Sequence, residues 1–513
     1  MRSRTNSVLN LSVSIFLVLC SACGDEGPDV DLVDAGPSDA AAGGFGGIPT
    51  GGKGGNTAGD AGTQDAKVDS SAITDALVGD AATDAGGDAG CGPLLARGAA
   101  MFSEPMGSVD VKKADMTKVA TLDLDFGFGS AAFHDPKDPE GVFWAVTDRG
   151  PNFDCDGNYC NARDKVFAKP TFSPTIVKVT MSRSASPACV LSVAVSNKLP
   201  IVDKDGAGVT GLPIAPSYNT EAATNTDQAT IPDNDNGMDT EGLVRLDDGT
   251  FWLAEEYGPS LVHVDATGKV IERVMPQGVK PAGAVPFAPN YPVTDALPGI
   301  LVKRKQNRGF ESLAISPDGK FLYTALQSPM PHPDKAAGDG SLVIRIHKLS
   351  LKGNGEFQKV AGEWLYLLNT ETSFVLANAT PVKRTDLKLS EMVALGTDDL
   401  LVQERTDFVT KIYRIKLDTT TALDEAKWDA VATMPSLETF VATDVAFAGV
   451  TPVTKVAVFD GVAYAAANQL PALPNKVEGI TVLGDFLVFV NDNDFNAAQK
   501  TIVTLLPLPA AAK

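Results

Sequence analysis

From residue 91 onward, short runs of β-branched and aromatic residues alternate with clusters of Gly, Pro, Asp and Asn, while apolar positions at helical spacing are scarce. Short apolar runs bounded by turn-forming residues predict strands joined by tight turns, and therefore an all-β domain. Within this pattern one unit recurs. An acidic residue is followed by a small or apolar residue and a short strand, then an Asp/Gly turn, then a second apolar strand ending in a charged or amide residue.

The clearest copy is Glu241-Gly242-Leu243-Val244-Arg245-Leu246, the turn Asp247-Asp248-Gly249, and Phe251-Trp252-Leu253-Ala254-Glu255-Glu256. The next pairs Glu311-Ser312-Leu313-Ala314-Ile315 with Phe321-Leu322-Tyr323-Thr324-Ala325-Leu326-Gln327. Glu391-Met392-Val393 is followed by Leu401-Val402-Gln403-Glu404-Arg405, and Glu478-Gly479-Ile480 by Val488-Phe489-Val490-Asn491-Asp492. An earlier copy, Ser130-Ala131-Ala132-Phe133 with Phe143-Trp144-Ala145-Val146-Thr147-Asp148, has serine in place of the leading glutamate. The leading positions are 111, 70, 80 and 87 residues apart. These intervals suit four-stranded blades with long loops better than compact repeats of roughly forty residues. The pattern predicts a β-propeller over residues 91–513 with six blades, within a range of five to seven, counting one divergent copy between Asp148 and Glu241. Two stacked sandwich domains would not need one hairpin pattern to recur along the whole chain.

The N-terminal part reads differently. Arg2 and Arg4 precede an apolar run over residues 8–20 and then Ser21-Ala22-Cys23, the layout of a secretory signal over residues 1–22. Ser21-Ala22-Cys23-Gly24 resembles a bacterial lipobox, which makes Cys23 the expected lipidation site and points to an exported lipoprotein, periplasm-facing or on the cell surface. Residues 23–90 repeat Asp, Ala and Gly with few large apolar groups. Such a composition cannot offset chain entropy by burial, so a disordered stalk is expected. Within it, Gly47-Ile48-Pro49-Thr50-Gly51-Gly52-Lys53-Gly54 mimics a phosphate loop but carries Gly54 where Ser or Thr is required.

Charge changes the picture once it is divided. The 513-residue chain has a net charge of −21, yet residues 24–90 hold 13 acidic residues against Lys53 and Lys67. About half of the negative charge therefore belongs to the stalk. An acidic chain disfavours nucleic acid as a partner. With Cys20 and Cys23 assigned to the leader and its lipid, Cys91, Cys155, Cys160 and Cys189 remain, an even number that implies disulfides in an exported chain. The favoured connectivity is Cys155–Cys160 and Cys91–Cys189, one of three possibilities.

Candidate chemistry follows from the hairpin. The start of the first strand lies one strand spacing, about 4.8 Å, from the end of the second. Glu241 then neighbours Glu255 or Glu256, Glu391 neighbours Glu404, and Glu478 neighbours Asp492. If these hairpins are the inner strands, the leading glutamates converge on one mouth of the channel. Clustered carboxylates must protonate, pair with bases or hold a cation, and oxygen-only ligands favour Ca2+, with Mg2+ second. Arg149, Arg308 and Arg405 sit beside the same positions and can pair with carboxylates or with an anionic substrate. Asp233-Asn234-Asp235-Asn236-Gly237-Met238-Asp239 reads equally as a calcium loop or a solvated turn. No Gly-x-Ser-x-Gly elbow is present, and His134, His263, His332 and His347 show no triad spacing.

Asp148-Arg149-Gly150, Glu241-Gly242 with Glu255-Glu256-Tyr257-Gly258-Pro259, Asn307-Arg308-Gly309-Phe310-Glu311, Leu401-Val402-Gln403-Glu404-Arg405, and Glu478-Gly479 with Asn491-Asp492 together resemble the phytase-like family described as having esterase-like activity of phytase. Asp203-Lys204-Asp205-Gly206 followed by Gly211-Leu212-Pro213 is similar to a loop of that family. The resemblance implies an exported propeller acting on phosphate esters. It places the family's acidic positions on Asp148, Glu241, Glu256, Glu311, Glu391, Glu404, Glu478 and Asp492. The expected assignment is Ca2+ held by Asp148, Glu241, Glu311, Glu391, Glu478 and Asp492. Glu256 or Glu404 is then the general base, and Arg149, Arg308 or Arg405 stabilises the phosphoryl oxygens. A sugar-lactone hydrolase and a lipid-tethered, non-enzymatic binding propeller are the alternatives.

Overall fold

The computed structural model describes residues 93–513, apart from 114, 155–163, 185–188, 215–221, 279–287, 377–380 and 441–448. The leader, Cys23, the stalk, the loop over residues 47–54, Cys91, Cys155 and Cys160 lie outside the described residues. Cys189 is disulfide-bonded, and its expected partner Cys91 is among those outside.

Each of the five sequence copies opens one antiparallel sheet of four strands, extended to five in the second. Blade 1 comprises Ala131–Phe133, Val142–Val146, Thr175–Arg183 and Leu191–Pro200, and blade 2 runs from Thr240–Arg245 through Phe251–Glu255, Ser260–Val264 and Val270–Pro276 to Val293–Leu297. Blade 3 holds Phe310–Ile315, Phe321–Leu326, Val343–Leu351 and Phe357–Leu367, and blade 4 holds Lys388–Gly396, Asp399–Arg405, Thr410–Lys416 and Lys455–Asp460. Blade 5 takes Val477–Leu483, Phe486–Asn491 and Thr501–Pro507 from the C-terminus and its outer strand, Gly98–Phe102, from the N-terminal side. The pairing of Gly98 with Leu505 through Phe102 with Thr501 closes the ring.

The fold is thus a β-propeller with five blades rather than six. The long interval between Asp148 and Glu241 holds the outer half of blade 1 and a small sheet of Asn152–Asp154, Asp164–Phe167, Ala222–Asn225 and Thr230–Ile231. Its described residues contain no further inner hairpin.

Burial explains why the repeat is apolar on both faces. Inner strands such as Phe251–Glu255 are buried at every position, because each face meets a neighbouring blade. Five apolar clusters fill the five blade interfaces in turn, for example Trp144, Leu243 and Phe251 between blades 1 and 2, and Leu401, Ile480 and Phe489 between blades 4 and 5. Trp144 and Phe251 meet edge to face at 5.1 Å across the first interface, a favoured aromatic geometry. The small residue after the leading acid also has a steric cause: a Cβ on Gly242 would stand 2.9 Å from Leu313 N and Cβ in blade 3. No helix among the described residues is long and apolar enough to cross a membrane.

Candidate functional site

The leading glutamates owe their direction to a break in strand pairing. In blade 2, Thr240 pairs with Glu255 and Gly242 with Ala254, which leaves Glu241 as an extra, unpaired residue. Glu311 is skipped in the same way between Phe310 and Ser312, and Glu478 between Val477 and Gly479. Blade 4 breaks between Leu389 and Met392, at Ser390 and Glu391. Such bulges re-aim a side chain. Three of the four send their carboxylate into one small cavity at the channel mouth, and Glu391 does not.

That cavity, about 90 Å³, is lined by Asp148, Arg149, Asn152, Asp154, Lys165, Asp239, Glu241, Glu256, Asn307, Arg308, Glu311, Gln327, Lys388, Lys476, Glu478, Asp492 and Asp494. Nine carboxyl groups face five cationic side chains there. Oxygens of Asp239, Glu241 and Glu256 lie within 4.8 Å of one another, as do those of Glu241, Glu311 and Glu478, so Glu241 belongs to both trios.

Crowding and burial decide protonation. Burial, then Glu311, Asp239, Glu478 and Glu256, holds the Glu241 carboxyl well above the usual carboxylate range. Burial, Asp239 and Glu311 do the same to Glu256, and burial, Asp492 and Asp239 to Asp148. Glu478 is pushed up to about 7 by burial, against the pull of Arg405 and Lys476. Asp492 goes the other way: burial would raise it, yet Lys476 at 2.9 Å holds it down. Lys476 also contacts Asp494, which burial carries up to about 8.

Apart from the cationic side chains, the groups lining this space offer oxygen ligands, and four of these oxygens, Asn307 Oδ1, Glu311 Oε2, Gln327 Oε1 and Asp494 Oδ2, are buried and accept from no donor among the described residues. A hard cation such as Ca2+ fits that donor set: it uses carboxylate and amide oxygens and removes the repulsion that otherwise forces protons on.

The remaining expected residues fall in three places. Arg149 lines the cavity 3.3 Å from Asp239 and Arg308 lines it beside Glu256, its hydrogen bond among the described residues going to Ser328 Oγ at 3.3 Å. Arg405 lies beneath the cavity with no exposed surface, bonded to Glu311 and Glu478. Glu391 and Glu404 do not line the cavity. Glu391 sits at the waist of the channel, where its carboxyl accepts from Leu313 N, Met392 N and Ala132 N of blades 3, 4 and 1. Glu404 points to Tyr366, Asn369 and Lys455, because neighbouring strand residues face opposite ways and Arg405 takes the inward direction.

Gln327, the amide that ends the second strand of its copy, lines the cavity too, and so do residues not anticipated from the repeat: Asn152, Asp154, Lys165, Asp239, Asn307, Lys388, Lys476 and Asp494. Asp239 and Lys476 each stand two residues before a leading glutamate, so the first-strand register could have found them. Glu255, buried beside Glu256, is a support: it accepts from Asp239 N, Tyr257 N, Gly258 N and Ser260 Oγ and forms an ion pair with Arg273 Nη2 at 2.7 Å. Gly309 lets the Asn307-Arg308 corner press on Glu256, since a Cβ there would stand 2.1 Å from the Glu256 carbonyl oxygen. The loop at residues 233–239 closes on itself, with Asn234 Oδ1 accepting from Asn236 N, and of its acids only Asp239 reaches the cavity. No histidine lines the site. A larger cavity of about 1080 Å³ occupies the other end of the channel, among the Asp/Gly turns.

Residues 125–495 match the family described as "Phytase-like: Esterase-like activity of phytase". An uncharacterized secreted protein of Arthroderma benhamiae is 30% identical over 294 residues, which cover 52% of this chain and 54% of that one. The chain thus spans about half the length of that curated relative. Among solved structures, the periplasmic gluconolactonase PpgL of Pseudomonas aeruginosa is similar at 10% identity and a TM-score of 0.27, covering 80% of this chain and 97% of that one. The Cps50 (Swd1) β-propeller domain of Myceliophthora thermophila is similar at 8% identity and a TM-score of 0.25, covering 79% and 93%.

Proposed function

The chain belongs to the phytase-like family, and from that membership we propose that it is an exported, calcium-dependent hydrolase of phosphate esters. The observation that carries this reading is the placement of five carboxylates, Asp239, Glu241, Glu256, Glu311 and Glu478, around one cavity that also receives Arg308. Asp239, Glu241, Glu311 and Glu478 would hold the cation. When bound, it supplies positive charge to the phosphoryl group and lowers the pKa of an attacking water.

The chain's own residues do the rest. Arg308 is buried, and its guanidinium has no carboxylate within salt-bridge distance among the described residues. Its donors are therefore available to phosphoryl oxygens, where they stabilise charge as it develops. Glu256 adjoins Arg308, and burial with Asp239 and Glu311 holds its carboxyl above the usual carboxylate range, which suits a group that takes and returns a proton. A cavity of about 90 Å³ has room for about three waters, each taking about 30 Å³. A phosphoryl group fits, while the body of the ester stays outside. Export is supported by the leader-like start of the sequence and by the description of the Arthroderma relative as secreted.

The test is hydrolysis of aryl phosphate mono- and diesters by the purified protein in calcium and in chelator. Calcium-dependent turnover that E256Q and R308Q abolish is expected. Turnover indifferent to chelator refutes the calcium requirement, and turnover of sugar lactones alone replaces the substrate class. Calcium binding without turnover on either panel identifies a non-enzymatic binding propeller.

A further inference from the structure

We infer that Arg405 is the positioning residue of the cation site, fixing which oxygens of Glu311 and Glu478 face the cavity. The inference rests on the calcium reading above. Arg405 has no exposed surface and does not line the cavity, so it cannot reach a bound phosphoryl group. It works on the carboxylates instead. Its Nη2 donates to Glu311 Oε1 of blade 3 at 2.9 Å and to Glu478 Oε1 of blade 5 at 2.5 Å.

A second path reaches the same oxygen. Arg405 Nε donates to Ser390 Oγ at 3.1 Å, and Ser390 Oγ donates to Glu311 Oε1 at 3.3 Å. Ser390 is fully buried and belongs to the blade 4 bulge that also displaces Glu391. Both donors therefore act on Oε1 of Glu311, and its Oε2 is left buried and without a donor among the described residues. In the wall of a cavity, an acceptor held this way is an oriented ligand. Asp407, 3.5 Å from Arg405 Nη1, and Lys388, 2.9 Å from Asp407, hold the guanidinium from behind.

One cation thus joins two carboxylates that would repel each other, and it draws them from the blades on either side of its own. A lysine in its place keeps the charge but cannot serve Ser390, Glu311 and Glu478 together, since the planar fork of donors is lost. Methionine keeps the length and removes the charge.

The experiment is calcium titration by isothermal calorimetry on wild type, R405K, R405M and S390A. Changing a residue that orients a ligand typically weakens a metal site about 10- to 100-fold. R405K is expected near the lower figure, R405M near or beyond the upper, and S390A, which keeps the charge and drops the second donor, at about 3-fold. Circular dichroism and melting in chelator show which variants are folded. If R405M does not fold, R405K and S390A carry the test. Wild-type calcium affinity in folded R405K and S390A overturns the positioning role. Absence of calcium binding in the wild type overturns the calcium reading itself.

Discussion

Replacing Glu241 by glutamine should leave the cation-free protein as stable as before while removing most of its response to calcium. The oxygens of Glu241, Glu311 and Glu478 lie within 4.8 Å of one another. At that separation each pair of ionised carboxylates would cost about 3.5 kcal/mol at an effective dielectric of about 20. The protein avoids this cost by protonation: burial and the surrounding acids hold the Glu241 carboxyl well above its ordinary range. A neutral amide of the same shape therefore replaces a neutral carboxyl with little change. A bound cation alters the comparison, because Glu241 then has to ionise and belongs to both carboxylate trios. Ligand at a hundred times its Kd stabilises the folded state by about 2.7 kcal/mol. For a domain of about 420 residues, with an unfolding entropy of about 2.1 cal/mol/K per residue, that is a rise of about 3 °C. Melting by scanning fluorimetry in chelator and in millimolar calcium reads both halves. Wild type should gain about 3 °C and E241Q less than about 1 °C, with the two melting within about 1 °C of each other in chelator. An undiminished calcium shift in E241Q refutes the role of Glu241, and a collapse of E241Q in chelator refutes the protonation argument.

Glu255 should prove the most stability-critical acid at the mouth. E255A leaves Arg273, which is fully buried, without its carboxylate and should cost about 3 to 5 kcal/mol in urea unfolding. The cation-free protein should lose stability as pH rises from about 5 to about 8. Glu478 titrates near 7 and Asp494 near 8 in the folded state, against 4.5 and 3.8 ordinarily. In that window the folded state holds more protons than the unfolded one, so stability falls as pH rises. Melting in chelator across this range checks the sign, and D494N should flatten the upper part. E404Q should lower the melting temperature, because Lys455 and Tyr366 lose the carboxyl group they contact, yet keep the calcium shift; loss of that shift would return Glu404 to the site.

The blades were legible because the signal is local. Each inner hairpin places an apolar run, a turn and a second apolar run within about twenty residues, and burial on both faces makes those runs continuous. The blade count was less legible for the converse reason. Outer strands such as Leu191–Pro200, with six of its ten residues exposed, carry little of the repeat. The interval between Asp148 and Glu241 could hold a sixth copy by length, and its content is an outer half-blade and a side sheet. Closure by Gly98–Phe102 depends on pairing across the whole chain, which no local pattern announces.

The candidate site was legible as far as the repeat extends and failed where one blade departs from it. Spacing alone placed Glu241, Glu311 and Glu478 together, since a bulge at equivalent positions turns equivalent side chains the same way. It also placed Glu391 and Glu404 there, and blade 4 uses these otherwise. Its pairing continues through Leu389 with Glu404 and Lys388 with Arg405, one step beyond the last paired residues of blades 2, 3 and 5, and Arg405 arrives where the other blades deliver Glu256, Gln327 or Asp492. That exception is what makes the rest tenable. A further inward carboxylate would add repulsion to a space already too crowded for full ionisation. A guanidinium at the same level neutralises two of the acids and turns them, which is why the blade that breaks the acidic pattern is the one on which the pattern depends.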